Sequence, residues 1–276
     1  MRYYLTALLF ALSTSTYAAD EANAEKKFFK TTEQTVQGQH AVNTAGQIPQ
    51  AVQDTVKRIV NSKNTADIKI VASAATGLYE VSMGSEVFYV TADAKHVLLG
   101  DLRDTTTGKN LSEARRGEVR AESLKAIEEK DMVVFAPEGK SKYTITVFTD
   151  VDCPYCVKLH NEVPALNKAG VKVRYLAYPR AGIGSRSYQK MVSAWCAEDK
   201  QDALTKTKNG QSVKESTCDN PVTAQFQLGQ KIGIRGTPAI LFDDGELLPG
   251  YLPANRIISY LVSKSLPALG GATQIR

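Results

Sequence analysis

The stretch Phe148-Thr149-Asp150-Val151-Asp152-Cys153-Pro154-Tyr155-Cys156-Val157-Lys158-Leu159-His160 decides how the chain is read. The residues leading into it, 143–148, form an apolar, β-branched run that predicts a strand. Beyond it, Cys156, Leu159 and Val163 recur at helical spacing. Cys153 therefore falls where a strand gives way to a helix. Unpaired backbone N–H groups and the helix dipole favour an anion at that place. A thiol there ionises readily, and the thiolate is the nucleophile. Cys156 follows about one helical turn later, near enough to close a small disulfide ring. Pro154 occupies the first turn, where its missing N–H costs little. The pair reads as a redox dithiol.

Downstream, Gly170 punctuates the helix exit and residues 171–178 alternate as a second strand, giving β, α with the dithiol at its start, then β. Pro164 is placed to kink the helix. Residues 183–232 form a long polar insertion with helical patterns at 188–198, 202–208 and 223–232. Gly236-Thr237-Pro238 then turns into a strand at 239–242. Residues 243–246 make a hairpin turn, 247–251 return as a strand, and a last helix spans 253–264 with Ile257, Ile258 and Leu261 as its apolar stripe.

Upstream, Val52, Val56, Ile59 and Val60 share one helical face, predicting a short amphipathic helix over 49–61. Strand patterns follow at 68–72, 78–83, 87–91 and 96–102, with turns at Gly84-Ser85 and Asp93-Ala94. A small antiparallel sheet on one helix is a marginal core by itself, and such a module gains stability by pairing with a second copy. Residues 111–130 are rich in Ala, Arg, Glu and Lys with sparse apolar positions at Leu111, Val119, Leu124 and Ile127, which predicts a mostly solvated linker helix. Residues 132–135 read as a short strand, and the turn Pro137-Glu138-Gly139-Lys140 places a domain boundary near 137–141.

At 276 residues, 43% hydrophobic and 23% charged, the chain has ordinary globular composition and room for two domains. Residues 1–18 read as a secretory signal: Arg2, a short apolar core and the small-residue cleavage site Thr16-Tyr17-Ala18. That core is too short to span a bilayer, and no later stretch reaches the roughly 18 apolar residues a membrane helix needs. Residues 19–47 are polar and without period, predicting a flexible or weakly helical segment. The formal charge of +5, which becomes +4 without Arg2, is spread along the chain and excludes a dense basic patch for nucleic acid.

Export changes how the four cysteines are read. In an oxidising compartment an even count implies disulfides, and four cysteines allow three pairings. If Cys153 and Cys156 are one unit, the remaining pair is Cys196 and Cys218, a structural disulfide closing a loop of about 20 residues and contributing roughly 3 kcal/mol. Because there is no second close pair, a four-cysteine zinc site is a poor fit, and no metal or cofactor is expected.

A CxxC at a helix start, then Gly-Thr-Pro before a hairpin and a closing helix, resembles a thioredoxin-like domain. The helical insertion with its own cysteine pair, Arg174-Tyr175-Leu176-Ala177-Tyr178-Pro179-Arg180, the lead-in Thr146-Val147-Phe148-Thr149-Asp150 and the ending Leu248-Pro249-Gly250-Tyr251 are similar to the periplasmic thiol:disulfide interchange proteins of the DsbC/DsbG family, the DsbC branch above all. Phe88-Tyr89-Val90-Thr91 and Lys95-His96-Val97 carry the likeness upstream. The resemblance implies an α+β chain: a cystatin-like dimerisation domain at 48–110, a helical linker at 111–137, and a thioredoxin-like catalytic domain with a helical insertion at 138–268. It implies a cis Thr237-Pro238 bond lying against Cys153, catalytic Cys153 and Cys156, and an active-site loop of Pro154, Tyr155, Thr237 and Pro238.

It also implies a periplasmic homodimer that rearranges disulfides of misfolded exported proteins, shelters unfolded chains in a cleft, and is kept reduced by a DsbD-type membrane reductase. DsbC enzymes carry Gly-Tyr between their cysteines, whereas this chain has Pro154-Tyr155, the pair seen in DsbG and glutaredoxins. The alternatives are therefore a DsbG-like reductase of single oxidised thiols and a monomeric DsbA-like oxidase. The upstream module counts against the oxidase. His160 is expected as an exposed helix residue, Trp195 as core, and Asp150 and Asp152 as turn and cap residues whose charge opposes the thiolate. The strand 143–148 holds no acid for proton transfer.

Overall fold

The computed structural model describes residues 47–60 and 68–266. The expected signal and polar segment at 1–18 and 19–47 lie outside the described residues, Gln47 apart. Two sheets organise the described residues. The first is an antiparallel meander of β1 (Ile68–Ala72), β2 (Leu78–Met83), β3 (Glu86–Thr91) and β4 (Val97–Leu99), in that order. Its core forms where Val52 and Val56 of helix α1 (Gln50–Val60) meet Val81, Phe88 and Val90. Met83 pairs with Glu86, so Gly84-Ser85 is a two-residue hairpin turn. The positive φ of 56° at Gly84 is the backbone state such turns require.

Helix α2 (Leu111–Lys125) departs from the sequence expectation. Its N-cap is Asn110, whose Oδ1 accepts the Glu113 N–H at 3.0 Å. It is not a mostly solvated linker, because Ser112, Gly117, Arg120 and Leu124 are buried. Ser112 Oγ bonds Tyr89 Oη at 2.6 Å and accepts from the Leu102 N–H at 2.8 Å. Arg120 is 2% exposed; its Nε donates to the Gly245 carbonyl at 2.8 Å, and its other arm pairs with Glu113. The Gly117 backbone lies so close to Gly245 that a Cβ at 245 has no room, and Gly245 also holds a φ of 80°. A helix buried on small and polar residues carries no apolar stripe, which is why its packing escapes a hydropathy reading.

The second sheet has the order β5-β7-β6-β8-β9. Strand β5 (Val133–Phe135) pairs antiparallel with β7 (Val171–Ala177). The sheet thus starts at Val133, before the expected boundary near 137–141. Strand β6 (Tyr143–Thr149) runs parallel to β7, and the crossover between them holds α3 (Pro154–His160) and α4 (Val163–Lys168). Pro164 opens the second of these helices and divides the segment in two. The insertion supplies α5 (Arg186–Trp195), α6 (Lys200–Lys208) and α7 (Val222–Lys231). Strands β8 (Ala239–Phe242) and β9 (Leu247–Pro249) complete the sheet, and α8 (Ala254–Ser265) covers it.

Both faces of this sheet are covered. Val147, Tyr175, Leu204, Trp195 and Ile257 belong to one core, and Phe148, Leu176, Phe226 and Ile232 to the other. Strand β6 is therefore buried on both sides from Ile145 onward, and its β-branched and aromatic residues, Thr146 and Thr149 included, lie inside. No helix among the described residues is long and apolar enough to cross a membrane.

Candidate active site

The dithiol lies where β6 ends. Asp150 closes the strand and shapes the turn: its Oδ1 accepts the Asp152 N–H at 2.9 Å and the Ser187 hydroxyl at 2.5 Å. Its Oδ2 accepts the Arg180 N–H at 2.9 Å and Nε at 3.2 Å. Asp150 is a turn residue, but a buried and fully occupied one. These hydrogen bonds hold its carboxyl below the usual range although burial pushes it up. Its charge is spent on Arg180 and Ser187. Asp152 is partly exposed and accepts from Lys190 Nζ at 2.5 Å.

Cys153 is the N-cap of α3, in extended backbone, with Pro154 as the first helical residue. Its Sγ points to the Thr237 carbonyl at 3.3 Å. The Thr237-Pro238 bond is cis. Burial alone pushes the Cys153 thiol up. The Thr237 hydroxyl, the Cys156 backbone N–H and thiol, and the Arg180 charge outweigh it and bring the thiol below its ordinary value. Thr237 Oγ1 is buried and, with Cys153 as a thiol, has no hydrogen-bond partner. Such a hydroxyl gains most when a thiolate forms beside it.

Cys156 is 0% exposed, and burial pushes its thiol up. Lys208, the Asp150 backbone and the Thr149 and Thr237 hydroxyls pull the other way without overcoming that effect. The two buried sulfurs, one turn apart, are thus shifted in opposite directions, Cys153 toward the thiolate and Cys156 away from it.

Tyr155 is 61% exposed, its ring stacked on Tyr251 at 6.3 Å. Lys158 lies 4.5 Å above the Tyr251 ring, and the Tyr251 hydroxyl donates to Glu162. Across the cis loop a groove of about 290 Å³ is lined by Ile234, Gly236, Thr237, Leu247 and Pro249. The Pro238 carbonyl already accepts the Gly250 N–H at 2.8 Å. The structure thus brings Cys153, Cys156, Pro154, Thr237 and Pro238 together, with Tyr155 at the rim. Cys196 and Cys218 are bonded to each other in the insertion.

Two residues behave otherwise than the sequence suggests. His160 is buried, not exposed, because α6 packs over α3. Its Nδ1 bonds Tyr175 Oη at 3.2 Å and its Nε2 bonds Thr205 Oγ1 at 2.9 Å, while Phe135 meets its ring edge-on. Burial, with the Lys208 charge beside it, pushes its pKa down to about 4. Lys208 itself is 4% exposed beneath the dithiol, donating to Thr149 Oγ1 at 2.7 Å. A signal for it exists: Ala203, Leu204, Thr207 and Lys208 share the buried face of α6, so the lysine stands one turn after Leu204 on an inward stripe.

The chain is similar to known proteins along most of its length. A thioredoxin-like domain matches residues 128–264, and the N-terminal domain of disulfide bond isomerase proteins matches residues 18–113. The thiol:disulfide interchange protein DsbC of Dickeya dadantii is 36% identical over 208 residues, 75% of this chain and 85% of that protein. The protein of the same name from Salmonella typhimurium is 38% identical over 193 residues, 70% and 80% of the two chains. That of Escherichia coli K12 is 34% identical over 211 residues, 76% and 86%.

Proposed function

Since the chain belongs to the DsbC family of thiol:disulfide interchange proteins, we propose that it is a periplasmic disulfide isomerase whose nucleophile is Cys153 and whose resolving residue is Cys156. The observation that carries the assignment is geometric: Cys153 caps helix α3 with its Sγ 3.3 Å from the carbonyl of the cis Thr237-Pro238 loop, and Cys156 lies fully buried one turn deeper. The Cys153 thiolate attacks one sulfur of a non-native disulfide, forms a mixed disulfide and expels the other sulfur as a thiolate. That thiolate attacks elsewhere in the substrate and a new pairing releases Cys153, so that no net oxidation occurs. When no productive thiol arrives, Cys156 displaces the substrate and leaves it reduced.

Remaining in the isomerase cycle requires reduction of the Cys153–Cys156 disulfide, for which a DsbD-type membrane reductase is the partner. The active unit is a homodimer. Strand β4 is an edge of its sheet and exposes Val97, Leu98 and Leu99 at 37%, 48% and 83%. An apolar open edge of this kind favours pairing with a second copy. Substrates are misfolded proteins with wrong disulfides. Tyr155, Tyr251 and the groove beside Thr237 offer aromatic and apolar surface next to the reactive sulfur.

Reactivation of scrambled ribonuclease tests the assignment. Wild type restores activity and Cys153→Ala does not. A wild type that fails here, yet reduces single sulfenylated thiols well, belongs instead with the DsbG-like reductases that also carry Pro-Tyr.

A further inference from the structure

Resolution of the mixed disulfide needs a proton acceptor. Cys156 must lose its proton before its sulfur can attack, and it is fully buried. The neighbouring ionisable groups are already engaged. The Asp150 carboxylate is held by Ser187 and Arg180. Both His160 ring nitrogens are bonded, to Tyr175 and Thr205. Lys208 remains. It ends α6, and that helix packs on the dithiol helix α3. Its Nζ makes one hydrogen bond, 2.7 Å to Thr149 Oγ1, and otherwise stands 5.5 Å from the Tyr175 ring centre. Thr149 is the last residue of the strand that leads into the dithiol. Having accepted from Lys208, its hydroxyl keeps its own hydrogen to offer, and it favours the thiolate of Cys156.

A buried ammonium with one hydrogen bond is costly and does nothing for packing that a methionine of similar length would not do. Such a group beside reacting sulfurs calls for a role in the chemistry.

We propose that Lys208, acting through the Thr149 hydroxyl, takes the proton of Cys156 when the mixed disulfide is resolved. This inference rests on the thiol–disulfide exchange assigned above. In the step, the Cys156 thiol gives its proton to Thr149 Oγ1 as the Thr149 proton passes to the Lys208 amine, which becomes an ammonium. The Cys156 sulfur bonds to the Cys153 sulfur while the bond from Cys153 to the substrate sulfur breaks. The substrate sulfur leaves with the electron pair as a thiolate. The protein dithiol is oxidised by two electrons and the substrate disulfide is reduced by two.

Burial pushes Lys208 down to about 8, so that a free amine is within reach at neutral pH. The titratable groups facing it are Cys156 and His160 of α3, Cys153 and Asp150 at the helix entry, and Tyr175 of β7. The sulfurs and Asp150 favour its ammonium and His160 stays neutral, so Lys208 is the nitrogen base of this cluster that exchanges a proton near neutrality.

One equivalent of dithiobis(nitrobenzoate) separates the steps. The reduced protein, its Cys196–Cys218 bond intact, releases one coloured thiolate when Cys153 attacks and a second when Cys156 resolves. In wild type the second release quickens with pH up to about 8, then levels. In Lys208→Met it slows about tenfold to a hundredfold relative to the first and loses that inflection. Lys208→Arg, which keeps the charge but holds its proton, and Thr149→Val, which breaks the relay, slow it likewise. A second release with the wild-type rate and pH profile in these variants overturns the proposal. If Lys208→Met fails to fold, Lys208→Arg and Thr149→Val decide on the same criterion. Absence of the first release in wild type rejects the exchange chemistry itself, a distinct result.

Discussion

Two cysteine pairs share one domain and differ in their surroundings. Cys153 caps a helix, with backbone N–H groups, a hydroxyl and a guanidinium favouring its thiolate, and its partner Cys156 is buried one turn deeper. Cys196 stands at the far end of a different helix, α5, and Cys218 lies in the coil before α7. There the helix dipole disfavours an anion. The bond between them closes a 22-residue separation in the insertion whose helix α6 packs against α3. On the proposed reading the same side chain is a nucleophile at a helix start, and it is a cross-link at a helix end. Position relative to backbone dipoles and neighbouring donors separates the two roles, and so does burial: Cys153 and Cys156 are buried, Cys196 is half-buried and Cys218 exposed.

The largest test of that contrast is to remove one sulfur from each pair. Cys153→Ser is expected to lower disulfide reduction of insulin by more than about 10³-fold, as loss of a nucleophile does. Cys196→Ser with Cys218→Ser leaves the Cys153 reaction standing. If both changes abolish activity alike, the contrast fails.

The second test is pH. His160 lies beneath the dithiol and is neutral in the fold, with a pKa near 4 against about 6.5 when unfolded. A base with a depressed folded pKa contributes stability that is full above the unfolded value and is lost as pH falls through the folded one. Denaturant melts should therefore show a loss of about 3 kcal/mol between about pH 6.5 and 4. His160→Gln flattens that slope, while the Cys196/Cys218 double variant keeps it.

The insertion disulfide itself contributes roughly 3 kcal/mol by constraining the unfolded chain. The double variant should lose that much in urea melts at neutral pH. A smaller effect comes from the wall of the site. Thr237→Val removes a hydroxyl that favours the Cys153 thiolate, so alkylation at slightly acid pH should slow about threefold to tenfold. No change there means that the helix start and Arg180 suffice.

The sequence makes the site legible where its chemistry is local. Strand, turn, Cys153, Pro154 and helix are consecutive, and Thr237-Pro238 stands before a strand pattern that needs no partner to be seen. The three helices of the insertion emerge from their own periodicity. Illegible were the residues whose roles depend on distant contacts. Lys208 meets Thr149 across 59 residues, and Arg120 meets Gly245 across 125. A charged side chain reads as solvated until its partner is placed. His160 misled for the same reason: its cover, Thr205, comes from an insertion whose position over α3 no short-range pattern reveals. Helix α2 hid its packing behind Ser112, Gly117 and Arg120, residues that carry no hydrophobic signal.

Brief alkylation of the reduced protein with iodoacetamide, over a range of pH and followed by peptide mass analysis, bears most directly on the central claim. The label is expected on Cys153 first, with a midpoint below that of a free thiol, while Cys156 stays unlabelled until the protein unfolds and Cys196 and Cys218 remain bonded. Labelling of Cys156 ahead of Cys153, or of Cys153 no faster than an unstructured thiol, contradicts the account.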